Sequence, residues 1–419
     1  MRYLLLAMLL AVPSITMAAE QDNSKDAEKS NGEKIADLRA RISALESRIE
    51  EDIINGEEED TDEDQEGKDD FNEIGGALWL NYALRDYSET SKSQGGDFRF
   101  DLFRIDANGR DGDMTWSGQF RWYQYMRVIH HAWVGWDFSE DTNMQIGISQ
   151  KPWGIQPYAS HSYWFGVPYY IGYEDDYDTG VRFKTVQGNW DLQFGVYKNP
   201  EYNSPGVLGR YSFDVVSANG NNNEEVNQLN ARVAYDWSHG EDYNTELGFS
   251  VETGQLYNSD TDENGDRQAW AVHLDGDYGK WGIEAEYFEY DYDPANPVGV
   301  PDNVVEFGAF AGNYTVAAAG EMYIFNITRD FPLDTGPFTN ARCYSDYSVL
   351  KKKDIPNATD TQLHTIGCAL TSGPVYTFVD IIRSKNHHFL GVPSNIAFAQ
   401  GDPDPSWNTR FNINIGIYF

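Results

Sequence analysis

The chain has 419 residues, and its 67 Asp and Glu against 31 Lys and Arg leave a net charge of −36. That balance excludes a bulk nucleic-acid binder, which needs a basic surface to neutralise phosphates. Two cysteines exclude a disulfide-dense scaffold and a four-thiolate zinc site, and an aromatic share of 15% with 38 glycines excludes bulk disorder and points to strands over helices.

Residues 1–19 read as a secretory signal peptide: Arg2 is followed by the apolar run Leu4–Val12, then by small residues around Met17-Ala18-Ala19. The run is too short to cross a membrane as a helix, and no later stretch approaches the roughly 20 apolar residues that a helix needs. Residues 20–73 hold 21 acids and seven bases, which keeps most of the segment solvated. Inside it, the window 33–54 places Ile35, Leu38, Ile42, Leu45 and Ile49 at alternating spacings of 3 and 4, with Ile at a and Leu at d of a heptad. The seam is about two heptads long, marginal on its own, so a coiled coil is expected only where another part of the protein gathers several copies. The alternative is a lone amphipathic helix on a surface. Glu57 through Asp70 is expected to be a disordered spacer.

Over 74–419 the period changes to two. Trp190, Leu192, Phe194 and Val196 alternate with Asp191, Gln193, Gly195 and Tyr197, and Phe411, Ile413, Ile415, Ile417 and Phe419 alternate with Arg410, Asn412, Asn414 and Tyr418. Each such segment runs about ten residues with one apolar and one polar face. A soluble sandwich also alternates. Here, however, aromatics sit at strand ends, the polar face carries formal charge on nearly every strand, and tight turns (Gln187-Gly188-Asn189, Tyr278-Gly279-Lys280, Ser372-Gly373-Pro374) alternate with long connections (151–177, 199–224, 292–320, 386–406). The expected fold is all-β: a transmembrane antiparallel β-barrel with short turns at one end, long loops at the other and no open edge. Eleven candidate strands up to Tyr290 and five counted back from Phe419 give about sixteen, an even number. If Val304–Ala311 and Tyr314–Ala319 form a further wall hairpin, the count is about eighteen. Either width leaves a water-filled lumen.

The terminal aromatic strand, the alternation and the signal peptide resemble a Gram-negative outer-membrane porin. Phe98-Arg99-Phe100-Asp101-Leu102-Phe103-Arg104, then Met144 through the turn Lys151-Pro152-Trp153-Gly154, then Gly172-Tyr173-Glu174-Asp175-Asp176-Tyr177-Asp178-Thr179-Gly180 resemble the phosphate-selective porin O/P group and related dicarboxylate porins that bear an N-terminal coiled coil. The resemblance implies a channel for small anions and a loop after Lys151 folded into the lumen. It also implies a homotrimer, placed in outer-membrane lipid and lipopolysaccharide with its N-terminal segment in the periplasm. A strand ending in Phe419 resembles the signal read by the barrel-assembly machinery. Ile at a and Leu at d nominally favour a dimer; the barrel's symmetry is ranked above so short a seam.

On the inward parity lie Arg85, Arg121, Arg182, Lys184, Arg232, Arg342 and Arg410, with Asp191, Asp236, Glu246, Glu252, Asp275, Glu284 and Glu286. With Lys151 these are the candidate pore-lining groups. Bases on early and late strands facing acids on middle strands set a transverse field; any single charge is equally compatible with merely solvating the wall. Loop 151–177 is the expected constriction, with Trp153, Tyr158, His161 and Trp164 either forming an apolar track or packing the loop. Pairing Val349 with Gln362 places Cys343 opposite Cys368 on the outward parity, where an oxidising compartment permits a disulfide. The alternative is two small outward residues.

Enzyme function is not expected. His130-His131 should face opposite ways along one strand, His387-His388 lies in a loop, and neither has a Ser or Asp partner at motif spacing. Two imidazoles without a third ligand are more often solvated than metal-binding, and no cofactor is implied. The competing class is a structural or adhesive barrel whose acidic tether anchors it to the cell wall or a partner.

Overall fold

The computed structural model describes residues 70–202, 206–240 and 242–419. The expected signal peptide and coiled-coil seam (Ile35, Leu38, Ile42, Leu45, Ile49), and all but the end of the acidic segment, lie outside the described residues. Strands follow in chain order: β1 (Phe71–Arg85), β2 (Asp97–Asp111), β3 (Met114–Tyr123), β4 (Arg127–Ser139), β5 (Thr142–Gln150), β6 (Tyr177–Gln187), β7 (Trp190–Pro200) and β8 (Asp214–Val215). Then come β9 (Asn223–Gly240), β10 (Tyr243–Asn258), β11 (Glu263–Tyr278), β12 (Trp281–Asp293), β13 (Val304–Ala309) and β14 (Gly312–Ala317). The last are β15 (Ala319–Thr335), β16 (Phe338–Lys352), β17 (Thr361–Ser372), β18 (Val375–Lys385) and β19 (Asn408–Tyr418). All but β8, β13 and β14 form one closed antiparallel barrel, each strand paired with its neighbours in sequence and β1 paired with β19.

The seam runs from Ala77 opposite Tyr418 to Arg85 opposite Arg410. The last residue joins it, because Gly76 N donates to Phe419 O at 2.8 Å and Phe419 N to Gly76 O at 3.1 Å. The barrel therefore has no open edge and leaves no row of backbone groups unpaired. The hairpin expected as possible wall strands does form, as β13 and β14, but inside the connection between β12 and β15, where β13 pairs with β8. Each has six residues, too few for the roughly 9–11 that cross a membrane in a tilted strand. The wall accordingly has sixteen strands.

Connections at one end of the barrel (112–113, 188–189, 279–280, 336–337 and 373–374 among them) are two residues long, while those at the other include 151–176, 201–222, 294–318 and 386–407. Outward residues are apolar and exposed across the wall, as with Val134, Ile146, Phe194, Leu247, Phe249, Val272, Phe325, Ile366 and Ile381. A continuous apolar belt of this extent has no stable place in water and fits a lipid-facing surface. Trp136, Phe138, Trp190, Trp237, Tyr243, Trp281 and Phe419 edge it near the two-residue turns, where amphipathic rings suit the membrane interface.

A bulge between Gln119 and Phe120 corrects one expectation. The extra residue in β4 turns both His130 and His131 inward, with their Nδ1 atoms 2.9 Å apart, where strict alternation would send them to opposite faces. On the outer face Cys343 lies opposite Cys368 in the register that pairs Val349 with Gln362, and the two sulfurs are bonded. Labelling of the unreduced, denatured protein with a thiol reagent should therefore modify no cysteine, and reduction should release two; two reactive thiols before reduction would contradict the bond.

Candidate functional site: the loop folded into the barrel

Residues 151–176 leave β5 and turn into the lumen instead of out to solvent. Backbone buried without a ladder of its own needs other partners, and inward side chains of the wall supply them. Gly154 N donates to Ser250 Oγ at 3.0 Å and Ile155 N to Glu286 Oε2 at 3.0 Å, while Gly154 O accepts from Arg232 Nε at 2.7 Å. Ala159 O accepts from Asn326 Nδ2 at 2.6 Å, His161 N donates to Asp346 Oδ2 at 2.8 Å, and Val167 N to Ser348 Oγ at 2.9 Å. Only glycine suits position 154: its φ is +50°, and a Cβ would stand 2.5 Å from the Glu286 carboxylate. Beyond His161 the loop packs Tyr163 on Trp79 and Phe378, and Trp164 beneath the Arg410 guanidinium at 4.5 Å. Its path thus follows the wall from β10 round to β1.

The register lines up one row of carboxylates. Asp236 on β9 is opposite Glu246 on β10, Glu246 opposite Asp275 on β11, and Asp275 opposite Glu284 on β12. The row continues through Asn326 on β15 to Asp346 on β16. Like charges directly opposite repel, so the row needs cations. Arg232 pairs with Glu246 and reaches Asp191 at 3.3 Å, and His273 Nε2 lies 2.9 Å from Glu246. His161, from the loop, sits between Glu284 at 3.3 Å and Asp346 at 3.0 Å. Burial alone would lower the imidazole pKa; the two carboxylates outweigh it and hold the ring well above its ordinary range, so it is charged at neutral pH.

The remaining candidates are distributed as follows. Glu252 pairs with Arg267 and lies 3.3 Å from Lys151, whose ammonium also meets Asp176 at 2.5 Å. Burial would lower the Lys151 pKa, but Asp176 and Glu252 reverse this and raise it. Arg121 hydrogen-bonds Gln119 and lies over the Tyr211 ring at 4.6 Å. Arg182 donates to Gln156 at 3.2 Å and Gln193 at 2.6 Å, and Arg410 to Asn81 at 3.0 Å and Asn412 at 2.9 Å. Lys184 is inward on β6, opposite Asn143 and Gln193. Arg85 pairs with Asp97 at the loop end of the barrel and Arg342 with Asp330 toward the turn end, both away from the loop's seat. Trp153 packs on Tyr173 and Phe288, and Tyr158 on Phe165. Asn326, Asp346, Ser348 and Ser250 hold the loop without having been singled out in the sequence, where inward parity was their one signal.

Above the loop, an aromatic core joins it to 201–222, 294–318 and 386–407: Tyr169, Tyr170, Phe213, Phe307, Tyr314 and Phe398 are all buried. His387, expected in a solvated loop, is fully buried in this core, 4.5 Å from the Tyr170 ring and 5.0 Å from that of Phe398. Burial pushes its pKa down to about 3, so it stays neutral. Glu174, also buried, accepts from Ser160 N at 2.7 Å and is pushed up to about 8.

No protein-family model matches the chain, and no curated protein matches it. Solved structures do resemble it. The outer membrane channel DcaP of Acinetobacter baumannii aligns with a TM-score of 0.54 and 14% identity over 84% of this chain and 97% of that one. An anion-selective porin from Comamonas acidovorans gives 0.53 and 12% over 84% and 100%. The trimer form of OmpT, an outer membrane protein of Vibrio cholerae, gives 0.51 and 10% over 84% and 100%. At such identities the likeness is one of fold: the chain has the porin fold.

His161→Ala should leave Glu284 and Asp346 without the cation they share and weaken the loop's seat by roughly 3 kcal/mol, the scale of losing one partner of a buried ion pair. Protease cleavage within 151–176 should rise, and Asp346→Asn in the same chain should restore part of the resistance. Because the folded-state pKa of His161 is raised, its contribution is complete below the ordinary imidazole pKa of about 6.5 and is lost as pH rises through the raised value. Wild-type loop protection should therefore fall on the alkaline side and not between pH 5 and 6.

Proposed function

We propose that the chain forms an outer-membrane channel for passive diffusion of small hydrophilic, charged solutes, selective where loop 151–176 narrows the lumen. One observation carries this reading: four lumenal carboxylates are held in ion pairs, while three lumenal arginines rest on rings and amides. Glu246, Glu252, Glu284 and Asp346 are engaged by Arg232, Arg267, Lys151 and His161. Arg121, Arg182 and Arg410 lie on rings and amides, with Asp175, Asp191 and Asp101 as their charged neighbours. These arginines, on β3, β6 and β19, offer positive charge to the lumen. Such a field draws and orients anions, and phosphate or dicarboxylates are the solutes it fits. The similarity to the anion-selective porin from Comamonas acidovorans agrees with this choice.

We take the assembly to be a homotrimer set in outer-membrane lipid and lipopolysaccharide, with the N-terminal segment on the periplasmic side. The trimer form of the Vibrio cholerae protein supports the assembly. The place of Phe419 on the closing seam supports a role for the last strand in recognition by the barrel-assembly machinery. The aromatic core across the loop end favours a second reading, a plugged barrel whose acidic tether anchors it.

Planar-bilayer recording separates the two. Refolded protein should give steady open channels with a reversal potential set by anions under a salt gradient, and a barrel that inserts but stays silent would sink the channel. Arg121→Ala combined with Arg182→Ala should raise the cation-to-anion permeability ratio at least about twofold. An unchanged ratio would remove these two residues from selectivity.

A further inference from the structure

Where loops 151–176 and 201–222 meet the wall, buried carboxylates outnumber bases. Asp176 ends the first loop, Asp178 opens β6, Glu201 follows β7, Asp214 is on β8, Glu225 on β9 and Glu252 on β10, and all are at most 5% exposed. Lys151, Arg210 and Arg267 are the bases among them: Lys151 serves Asp176 and Glu252, Arg267 serves Glu225 and Glu252, and Arg210 serves Asp214 at 3.0 Å. Asp178 has no ion pair among the described residues; it accepts from Gln228 Nε2 at 3.0 Å, and its Oδ1 has no partner. Six carboxylates against three bases leave a net charge that water cannot reach. Such a deficit is costly unless protons or a further cation neutralise it.

The geometry favours a cation. One oxygen from each of Asp176, Asp178 and Asp214 lies within 4.8 Å of the others. Oxygens bound to a single calcium ion at about 2.3–2.6 Å stand at most about 5 Å apart, a limit this trio meets. Two further oxygens outside this trio point to a ligand. Gln228 Oε1, on the amide that contacts Asp178, is buried without a partner. Glu201 uses Oε1 to accept from Tyr211 N and Ser212 N, faces Asp214, and leaves Oε2 buried and unpartnered. Carboxylates supplemented by an amide oxygen are the hard donor set that calcium takes.

We propose that Asp176, Asp178 and Asp214, with Gln228 and Glu201 beside them, bind one divalent cation of calcium size per chain, clasping the lumenal loop to the β8 loop. Full-length protein purified in detergent and stripped with a chelator is titrated with CaCl2 by calorimetry, and in parallel with Tb3+ while tyrosine is excited. One saturable site per chain is expected, at or below about 1 mM, with tyrosine-sensitised Tb3+ emission displaced by Ca2+ and less readily by Mg2+. Asp178→Asn with Asp214→Asn should weaken Ca2+ at least about tenfold while the protein keeps the heat-modifiable gel mobility of a closed barrel. If that variant does not close, Asp176→Asn is titrated instead, with the same expectation. No saturable binding by wild type up to about 10 mM Ca2+, or unchanged affinity in the variants, overturns the proposal and leaves protons as the neutralising charge.

Discussion

The hydrogen-bonded seam between β1 and β19 is the contact on which the rest of the molecule depends. Once Ala77 meets Tyr418 and Gly76 meets Phe419, no strand of the barrel has a free edge, and the whole outer face can be apolar without exposing backbone to lipid. Closure also fixes the inside. Alternation sends every second side chain inward, and sixteen strands enclose more space than those side chains can fill. The lumen must therefore be wet, or occupied by other parts of the chain. Here it is partly occupied, by a loop whose backbone is tied to the wall at Ser250, Glu286, Asn326, Asp346 and Ser348.

That arrangement gives the lumenal charges two tasks. Glu286 accepts a backbone hydrogen bond from the loop, and Glu284 and Asp346 hold His161. These acids position the lumenal loop. The arginines on β3, β6 and β19 rest instead on rings and amides. Charge already paired in a low-dielectric site contributes little to the potential beyond it.

Much of the fold was legible because its signal is local. Trp190 through Tyr197 shows its two faces in eight consecutive residues, and parity alone put Arg121, Arg182, Glu246 and Glu284 on the inward side, where they lie. The sequence left open whether residues 304–317 join the wall; the answer lies in strand length, six residues against the span required. The orientation of His130 and His131 was misread because a bulge depends on the partner strand. The seat of the loop was not legible at all. Parity says that Asn326 and Ser348 face the lumen, as many residues do, but not that a segment more than 150 residues earlier in the chain will lie against them. His387 was misplaced for the same reason, since Tyr170, which packs on it, comes from a loop more than 200 residues earlier. The resemblance to the phosphate-selective O/P group carried the fold correctly; the solved likenesses share the barrel and do not single out that group.

The aromatic core at the loop end has a consequence for the order in which the protein is made. Phe398 packs against Tyr314 and Tyr170, and Val316 forms a bridge with Phe398. The last long loop is thus a structural component of a cluster whose first members emerge more than two hundred residues earlier. Loop 151–176 can fold inward on its wall contacts as soon as β16 is in place, yet the cover above it cannot finish until the final hairpin has been delivered. The cover over the lumen is thus shared between loops far apart in the chain, and a change in the last of them reaches the packing of the first.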